Sequence, residues 1–195
     1  MGTAKKILLF GLSESGKTTI MKTIIEGKPP VKNERFPATI DYERKVLIFD
    51  ELEITFFDLG GATAFLDRFT GELSEFIFSG VKVLIFVLDS LKIPEISRAK
   101  YYFDLCLKNI EQYSPEASVV IFQHKIDIIP KKLREEVYHT CRDYILTGIK
   151  KPVLYYETSL FTCSIVIAMS AVFQQALGYI PNNWRFTFLE EKSRD

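Results

Sequence analysis

The chain has 195 residues, which fits a single domain. Lysine and arginine together number 25, and so do aspartate and glutamate, which leaves a formal net charge of zero. That balance argues against a protein that binds nucleic acid or an anionic membrane by bulk charge, since such binding needs an excess of basic residues. The content of 47% hydrophobic and 26% charged residues is typical of a globular protein and excludes a chain disordered throughout.

The sequence predicts neither a transmembrane segment nor a signal peptide. The longest uninterrupted apolar run, Val83–Leu88, has six residues, whereas a membrane-spanning helix needs about twenty. The three cysteines, Cys106, Cys141 and Cys163, are far apart, which favours reduced thiols over disulfides. We therefore expect a cytoplasmic protein whose membrane association, where it has any, goes through partners.

Short apolar runs alternate with amphipathic segments along the chain. The runs predict six strands, at residues 6–11, 44–50, 52–58, 81–88, 118–122 and 153–156. Apolar residues at helical spacing predict helices at residues 17–26, 63–78 and 94–113, from Pro130 onwards, and at 160–177. Gly71 weakens the second helix, and the buried stripe of the fourth is predicted as Leu133, Val137, Cys141 and Tyr144. This alternation indicates an α/β domain with about six mostly parallel strands and helices on both faces of the sheet.

The first strand is followed by a phosphate-binding motif. Residues 11–18, Gly-Leu-Ser-Glu-Ser-Gly-Lys-Thr, match G-x-x-x-x-G-K-[ST] between a predicted strand and a predicted helix. Loop N–H groups, the helix N-terminus and the Lys17 ammonium can all face phosphates, and the Thr18 hydroxyl is placed to bind Mg²⁺. The other predicted ligand-binding residues of this P-loop are Ser13, Glu14, Ser15 and Gly16. A match by chance is expected roughly once per hundred such chains, so nucleotide binding is favoured.

Two further segments point to a metal ion and a terminal phosphate. Asp58 ends the third strand, where its carboxylate can hold Mg²⁺ directly or through water, and Gly61 lets the backbone approach the phosphate closely. Taken alone, this motif is also compatible with a plain turn. Thr39, in the loop before the second strand, has a hydroxyl that reaches Mg²⁺ when a γ-phosphate is present, unless it is an ordinary solvated threonine.

A third motif concerns the base. His124, Lys125 and Asp127 follow the strand 118–122. A carboxylate accepts two hydrogen bonds from the ring N–H and the amine of guanine, and adenine offers no such pair, so Asp127 would select guanine while the Lys125 stem lies along the purine. An ordinary polar loop is the alternative for this segment by itself. A fourth base-contacting loop is expected after the last strand, at Thr158, Ser159 and Leu160.

Taken together, these motifs resemble the small GTPase superfamily of P-loop NTPases with a Ras-like G domain, and most closely its Rag/Gtr family. The resembling segments are residues 11–18, 38–43, 57–61, 83–89, 124–127 and 157–160. Rag-like features are His124, where the superfamily usually has asparagine, and Tyr179-Ile-Pro-Asn182 at the end of the domain. The resemblance implies a G domain over residues 1–182. Residues 183–195 would be a short C-terminal tail, either the stub of a missing roadblock-like domain or the end of a minimal single-domain relative.

The resemblance implies a switch that binds GTP or GDP with Mg²⁺. Two loops, at about 29–41 and 60–80, would be ordered by the γ-phosphate and relax after hydrolysis. Lys17, Thr39 and Gly61 would carry the catalysis, with the backbone of Thr39 helping to place the attacking water. The implied partners are a second Rag-like GTPase chain, roadblock- or longin-type proteins, a GTPase-activating protein and an exchange factor. They would recruit the chain to the cytosolic face of a membrane.

Two departures from the family pattern carry predictions. Ala62 replaces the glutamine that orients the attacking water in most relatives, so hydrolysis should be slow unless a partner or, within the chain, Arg68 supplies the missing group. The alternative is a binding module that hydrolyses GTP negligibly and recruits partners in its GTP-bound state. Glu14 stands where Rag-like proteins tend to have glycine, and its carboxylate is expected to point away from phosphates. A P-loop kinase or ATPase is disfavoured, because no arginine-rich lid is present and Asp127 disfavours adenine.

Overall fold

The structure is a computed structural model, and it describes residues 5–32, 36–49 and 52–180. Within these ranges the strands are β1 (Lys5–Phe10), β2 (Tyr42–Phe49), β3 (Leu52–Leu59), β4 (Val81–Asp89), β5 (Ser118–His124) and β6 (Val153–Thr158). The helices are α1 (Lys17–Ile25), α2 (Thr63–Thr70), α3 (Ser74–Phe78), α4 (Ile96–Tyr113), α5 (Arg134–Leu146) and α6 (Ser164–Leu177). Residues 50–51 between the second and third strands, the end of the Rag-like closing segment at 181–182 and the predicted tail 183–195 lie outside the described residues.

The six strands form one sheet in the order β2-β3-β1-β4-β5-β6. Strand β2 runs antiparallel to β3, and all other neighbours are parallel. The predicted α/β fold with six mostly parallel strands is therefore confirmed. Because parallel strands end at one edge, the segments that follow β1, β3, β4, β5 and β6 gather there, and ligands of open α/β sheets bind at this edge.

Apolar side chains cover both faces of the sheet and fix the helices to it. Helices α2, α3, α4 and α5 pack on one face, where the rings of Phe86 and Phe103 meet edge to face with centroids 5.0 Å apart. Helices α1 and α6 pack on the other face, where Phe56 meets Phe173 at 6.4 Å. The central strand β4 is buried on both sides, as its apolar sequence predicts. No helix among the described segments is long and apolar enough to cross a bilayer.

The structure corrects three predicted helices. The continuous helix over 63–78 is wrong, because the backbone breaks at Gly71 (φ −111°, ψ −103°) and divides it into α2 and α3. Helix α5 begins at Arg134 after a 3₁₀ turn, and its inward-facing stripe is the half-buried Val137 with the buried Cys141 and Ile145, at a spacing of four residues. Two positions of the predicted α5 stripe are exposed instead, Leu133 and Tyr144. Helix α6 begins at Ser164, so that residues 160–163 form a loop at the sheet edge.

Candidate functional site

A cavity of about 420 Å³ opens at the carboxyl edge of the sheet. Its wall is formed by the P-loop, the loop at residues 36–39, the end of β3 and the segment after β5. Eight of the predicted site residues line it, namely Ser13, Glu14, Gly16, Lys17, Thr18, Thr39, Gly61 and Lys125. Chain segments far apart in sequence thus meet around one opening.

Gly16 ends the P-loop and begins α1. Its φ of +105° belongs to a region that side chains with a Cβ rarely adopt, and an added Cβ would lie 2.6 Å from Cδ2 of His124. The Gly16 carbonyl accepts the N–H of Ile20 at 2.8 Å, which starts the helix directly behind the loop. Glycine is therefore required here both by the backbone conformation and by the ring that packs against it.

Lys17 lies buried at the floor of the cavity. Its ammonium donates hydrogen bonds to the carbonyl oxygens of Gly11 at 2.8 Å and Leu12 at 3.0 Å. Burial lowers the pKa of Lys17 to about 8, although the nearby Asp58 carboxylate acts in the opposite direction. An anion bound in the cavity would stabilise the charged form of Lys17, which burial disfavours.

Three oxygen-bearing side chains meet beside Lys17. The Thr18 hydroxyl donates to Oδ2 of Asp58 at 2.6 Å, and Oγ1 of Thr39 lies 3.0 Å from that of Thr18 and 3.5 Å from Oδ2 of Asp58. Asp58 is fully buried, burial raises its pKa, and its Oδ1 has no hydrogen-bond partner among the described residues. Hydroxyl and carboxylate oxygens are ligands that suit Mg²⁺, so this set, which contains all three predicted metal ligands, fits that ion.

The described residues contain no group of three His, Cys, Asp or Glu side chains that would hold a metal by itself. A cation held by Thr18, Thr39 and Asp58 would therefore depend on further oxygens from water or from a bound ligand. Mg²⁺ in proteins is typically bound in this way, through one or two carboxylates together with phosphate oxygens.

The glycines after β3 lie directly on the P-loop. A Cβ on Gly61 would lie 2.5 Å from the backbone N of Ser13, so only glycine allows this approach. The N–H of Gly60 donates to the carbonyl of Asp41 at 2.8 Å, which joins this segment to the loop before β2. Ala62 lines the cavity, whereas Arg68 does not and instead lies 3.8 Å from the Asp41 carboxylate. The missing polar group at position 62 is thus not replaced by Arg68 in this arrangement.

His124 lies in β5 and not in the loop after it. It is buried, and its Nδ1 lies 2.9 Å from Oγ1 of Thr158 at the end of β6. Burial lowers the pKa of His124 to about 4, so the ring is neutral at pH 7. Because the other side of the ring packs against Gly16, His124 connects the P-loop with the loop after β6. The sequence identified His124 but gave no signal for its contact with Thr158.

Lys125 joins the segment after β5 to the P-loop. Its backbone has a φ of +67°, and its ammonium donates to the carbonyl of Glu14 at 2.6 Å and to Oδ2 of Asp89 at 2.7 Å. Asp89 is the last residue of β4 and of the resembling segment 83–89, but the sequence gave no signal for its contact with Lys125. Asp127 follows in a 3₁₀ turn at Ile126–Ile128 on the same sheet edge.

Two predicted base-contacting residues lie in the loop between β6 and α6. Ser159 and Leu160 are both buried, and the N–H of Ser159 donates to Oγ of Ser164 at 2.9 Å. The hydroxyl of Ser159 accepts the N–H of Phe161 at 3.0 Å, which holds the turn. This loop is placed beside the segment 124–127 because β5 and β6 are neighbours in the sheet.

Comparisons with known proteins show the family of the chain. Residues 6–183 match the family described as the Gtr1/RagA G protein conserved region. The chain belongs to the Gtr1/RagA family. It is 33% identical over 182 residues to the GTP-binding protein GTR1 of Saccharomyces cerevisiae, a match that covers 85% of the chain and 58% of that protein. It is 31% identical over 181 residues to the Ras-related GTP-binding protein A of Dictyostelium discoideum, covering 91% and 58%.

The Rag/Gtr resemblance is thereby confirmed. The chain spans just over half the length of these two curated relatives. Among solved structures, the Arl6 BBS3 small GTPase from Trypanosoma brucei with the bound nucleotide analogue GppNp has a TM-score of 0.68. This match has 24% sequence identity and covers 89% of the chain and 98% of that structure, so the Gtr1/RagA-family chain has the small GTPase fold.

Proposed function

We propose that residues 1–182 form the G domain of a Rag-type GTPase, which binds GTP and GDP with Mg²⁺ and hydrolyses GTP slowly. The observation that carries this proposal is the meeting of Lys17, Thr18, Thr39 and Asp58 at one cavity. A buried ammonium beside three oxygen ligands is the arrangement needed for a phosphate chain and its magnesium ion.

The residues of the site divide the work among them. The Lys17 ammonium and the P-loop N–H groups bind the phosphates and stabilise charge that develops between the β- and γ-phosphates. Thr18, Thr39 and Asp58 hold Mg²⁺, which when bound neutralises charge on phosphate oxygens. The backbones of Thr39 and Gly61 face the terminal phosphate and the attacking water.

Guanine recognition is assigned to the segments after β5 and β6. Asp127 accepts hydrogen bonds from the base, the Lys125 stem covers one face of the purine, and Ser159 and Leu160 complete the base-binding loop. His124 is a positioning residue, because its ring contacts Gly16 and Thr158.

A second candidate function is supported by Ala62. Its methyl group forms no hydrogen bond to water, and Arg68 is occupied by Asp41, so no described side chain of this segment replaces the missing glutamine. On this reading the chain is a GTP-binding module with negligible hydrolysis, which recruits partners while GTP is bound. The proposed partners are a second Rag-like chain, roadblock- or longin-type proteins, a GTPase-activating protein and an exchange factor. The proposed location is the cytoplasm, with recruitment to membranes through these partners.

The test is to denature freshly purified protein and identify the released nucleotide by ion-exchange chromatography. Retained GTP supports guanine selection with negligible hydrolysis and favours the binding module, whereas GDP supports completed hydrolysis. Titration of emptied protein with fluorescent GDP and ADP, with and without Mg²⁺, then measures the selection directly. Equal affinity for ADP would refute the assignment of Asp127. A single-turnover rate equal to that of a glutamine-bearing small GTPase would refute slow hydrolysis.

A further inference from the structure

Glu14 is an acidic residue on the wall of the cavity assigned to phosphates. Its backbone has a φ of +62°, and two lysines from other parts of the chain hold it there. Lys125 donates to its carbonyl oxygen at 2.6 Å, and the Lys92 ammonium lies 2.9 Å from its carboxylate oxygen Oε2. Lys92 also donates to the carbonyl of Ser13 at 3.5 Å, so it contacts two consecutive P-loop residues.

Lys92 belongs to the segment between β4 and α4, outside every motif found in the sequence. A second carboxylate, Glu95, lies 3.6 Å from its ammonium, farther away than that of Glu14. The hydrogen bond to Glu14 is the main cause that raises the pKa of Lys92, so the lysine stays charged at neutral pH. The Glu14 carboxylate therefore has a permanent cationic neighbour.

An exposed ion pair of this kind contributes little to folding, and the Glu14 side chain is 79% exposed. The ion pair has a larger effect when an anion enters the cavity, because it then changes the energy of anion binding. A bare carboxylate on the wall would repel the phosphates, and an ammonium 2.9 Å from that carboxylate cancels most of the repulsion. The pair therefore matters for ligand binding more than for stability.

We propose that Lys92 is a positioning residue of the nucleotide site, whose ammonium neutralises the Glu14 carboxylate and steadies the P-loop through the Ser13 carbonyl. The inference rests on the proposed function, because it requires that phosphates bind in this cavity. The proposal predicts opposite changes in nucleotide affinity for two substitutions that remove the same ion pair. Removing the lysine takes away the ammonium that neutralises the Glu14 carboxylate, so the phosphates are repelled more. Removing the carboxylate leaves the Lys92 ammonium to attract the phosphates.

The experiment measures GDP dissociation constants of the full chain with Mg²⁺. Lys92→Met should weaken GDP binding about three- to tenfold, and Glu14→Gln should strengthen it by a similar factor. The double variant should bind within about twofold of the unsubstituted protein, and Lys92→Arg should restore binding. A merely structural ion pair would make both single variants bind more weakly, and that result would overturn the proposal.

Lys82→Met is the matched control, since it also removes one lysine. Lys82 is exposed near the start of β4, about 23 Å along the strand from its end at Asp89, after which Lys92 follows. It should leave GDP binding unchanged. The Lys92→Met effect should shrink between about 0.1 M and about 1 M salt, as the screening length falls from about 10 Å to about 3 Å. Unsubstituted protein that binds no GDP would overturn the proposed function and this inference together. Binding that Lys92→Met leaves unchanged would overturn only the inference.

Discussion

Nucleotide binding should take up a proton near pH 8, because of Lys17. Burial among the carbonyl oxygens of the P-loop lowers the pKa of this ammonium from 10.5 to about 8, so in the empty site the lysine is half neutral at that pH. Phosphates placed against it favour the charged form and raise the pKa again. Binding at pH 8 therefore transfers about half a proton from the buffer to each protein molecule, and binding at pH 7 about a tenth of one.

The same titration sets how affinity and stability depend on pH. Relative to the acidic limit, the apparent affinity for GDP should fall about twofold at pH 8 and about tenfold at pH 9. For folding the sign is the opposite. The pKa of Lys17 is lower in the folded than in the unfolded chain, so the unfolded state binds more protons between about pH 8 and 10.5. Across that window the free energy of unfolding of the nucleotide-free protein should rise with pH.

The assay is calorimetric titration with GDP at about pH 8, in two buffers that differ in ionisation enthalpy. The difference in apparent binding enthalpy gives the number of protons taken up. Lys6 is the internal control, because burial lowers its pKa to about 8 as well, while its ammonium contacts the carbonyls of Phe76 and Ser79 away from the cavity. Lys6→Arg should leave the uptake unchanged. Equal enthalpies in the two buffers would refute the argument, since Lys17 would then be charged before the nucleotide arrives.

Three further predictions concern the loop, the chemistry and the core. Gly16→Ala should weaken GDP binding more than about 100-fold, because the left-handed backbone and the clash with the ring behind it add together. Gly80→Ala, at φ +70° in open space, should cost about 1–2 kcal/mol of stability in urea unfolding and leave binding unchanged. Ala62→Gln should speed single-turnover GTP hydrolysis at least about tenfold. Ala64→Gln, two residues later on the exposed start of α2, should not change the rate. Equal hydrolysis rates for the two variants would contradict the role given to position 62. Phe103→Ala should lower the free energy of unfolding by about 3–5 kcal/mol in urea, since its ring is fully buried against Phe86.

Most of the phosphate half of the site was predictable from sequence because it depends on local rules. A strand that ends in a glycine-rich loop before a helix places Lys17 and Thr18 at the start of that helix, and this placement depends only on the local sequence. Asp58 was found for a similar reason, since parallel strands end at one edge and its strand is a neighbour of β1. Thr39 depended on a loop, and its place 3.0 Å from Thr18 became visible only in the structure.

The contacts that sequence reasoning missed are those between distant segments. Asp89 ends the most apolar strand and Lys92 follows it. Nothing local in the sequence indicates that Asp89 contacts Lys125 or that Lys92 contacts Glu14, because each pair is more than thirty residues apart in the chain. Gly71 was recognised as weakening the predicted helix, but the complete break there was not foreseen, because the apolar spacing on its two sides is nearly continuous. Polar side chains of α4 hold both pieces, with Asn109 donating to the carbonyl of Thr70 at 3.2 Å.

These contacts divide the site into two mechanically different halves. On one side, the buried neutral ring of His124 fills the space between Gly16 and Thr158, so the P-loop and the loop after β6 are packed as one unit. On the other side, the described contacts between the loop before β2 and the segment after β3 include the hydrogen bond from Gly60 to the Asp41 carbonyl and an exposed ion pair of 3.8 Å between Asp41 and Arg68. Thr39 lies in that weakly held half and shares Asp58 with Thr18 of the packed half. A terminal phosphate and its cation would add contacts to the loop that carries Thr39, which is the physical condition for a loop that responds to the nucleotide while the base stays bound.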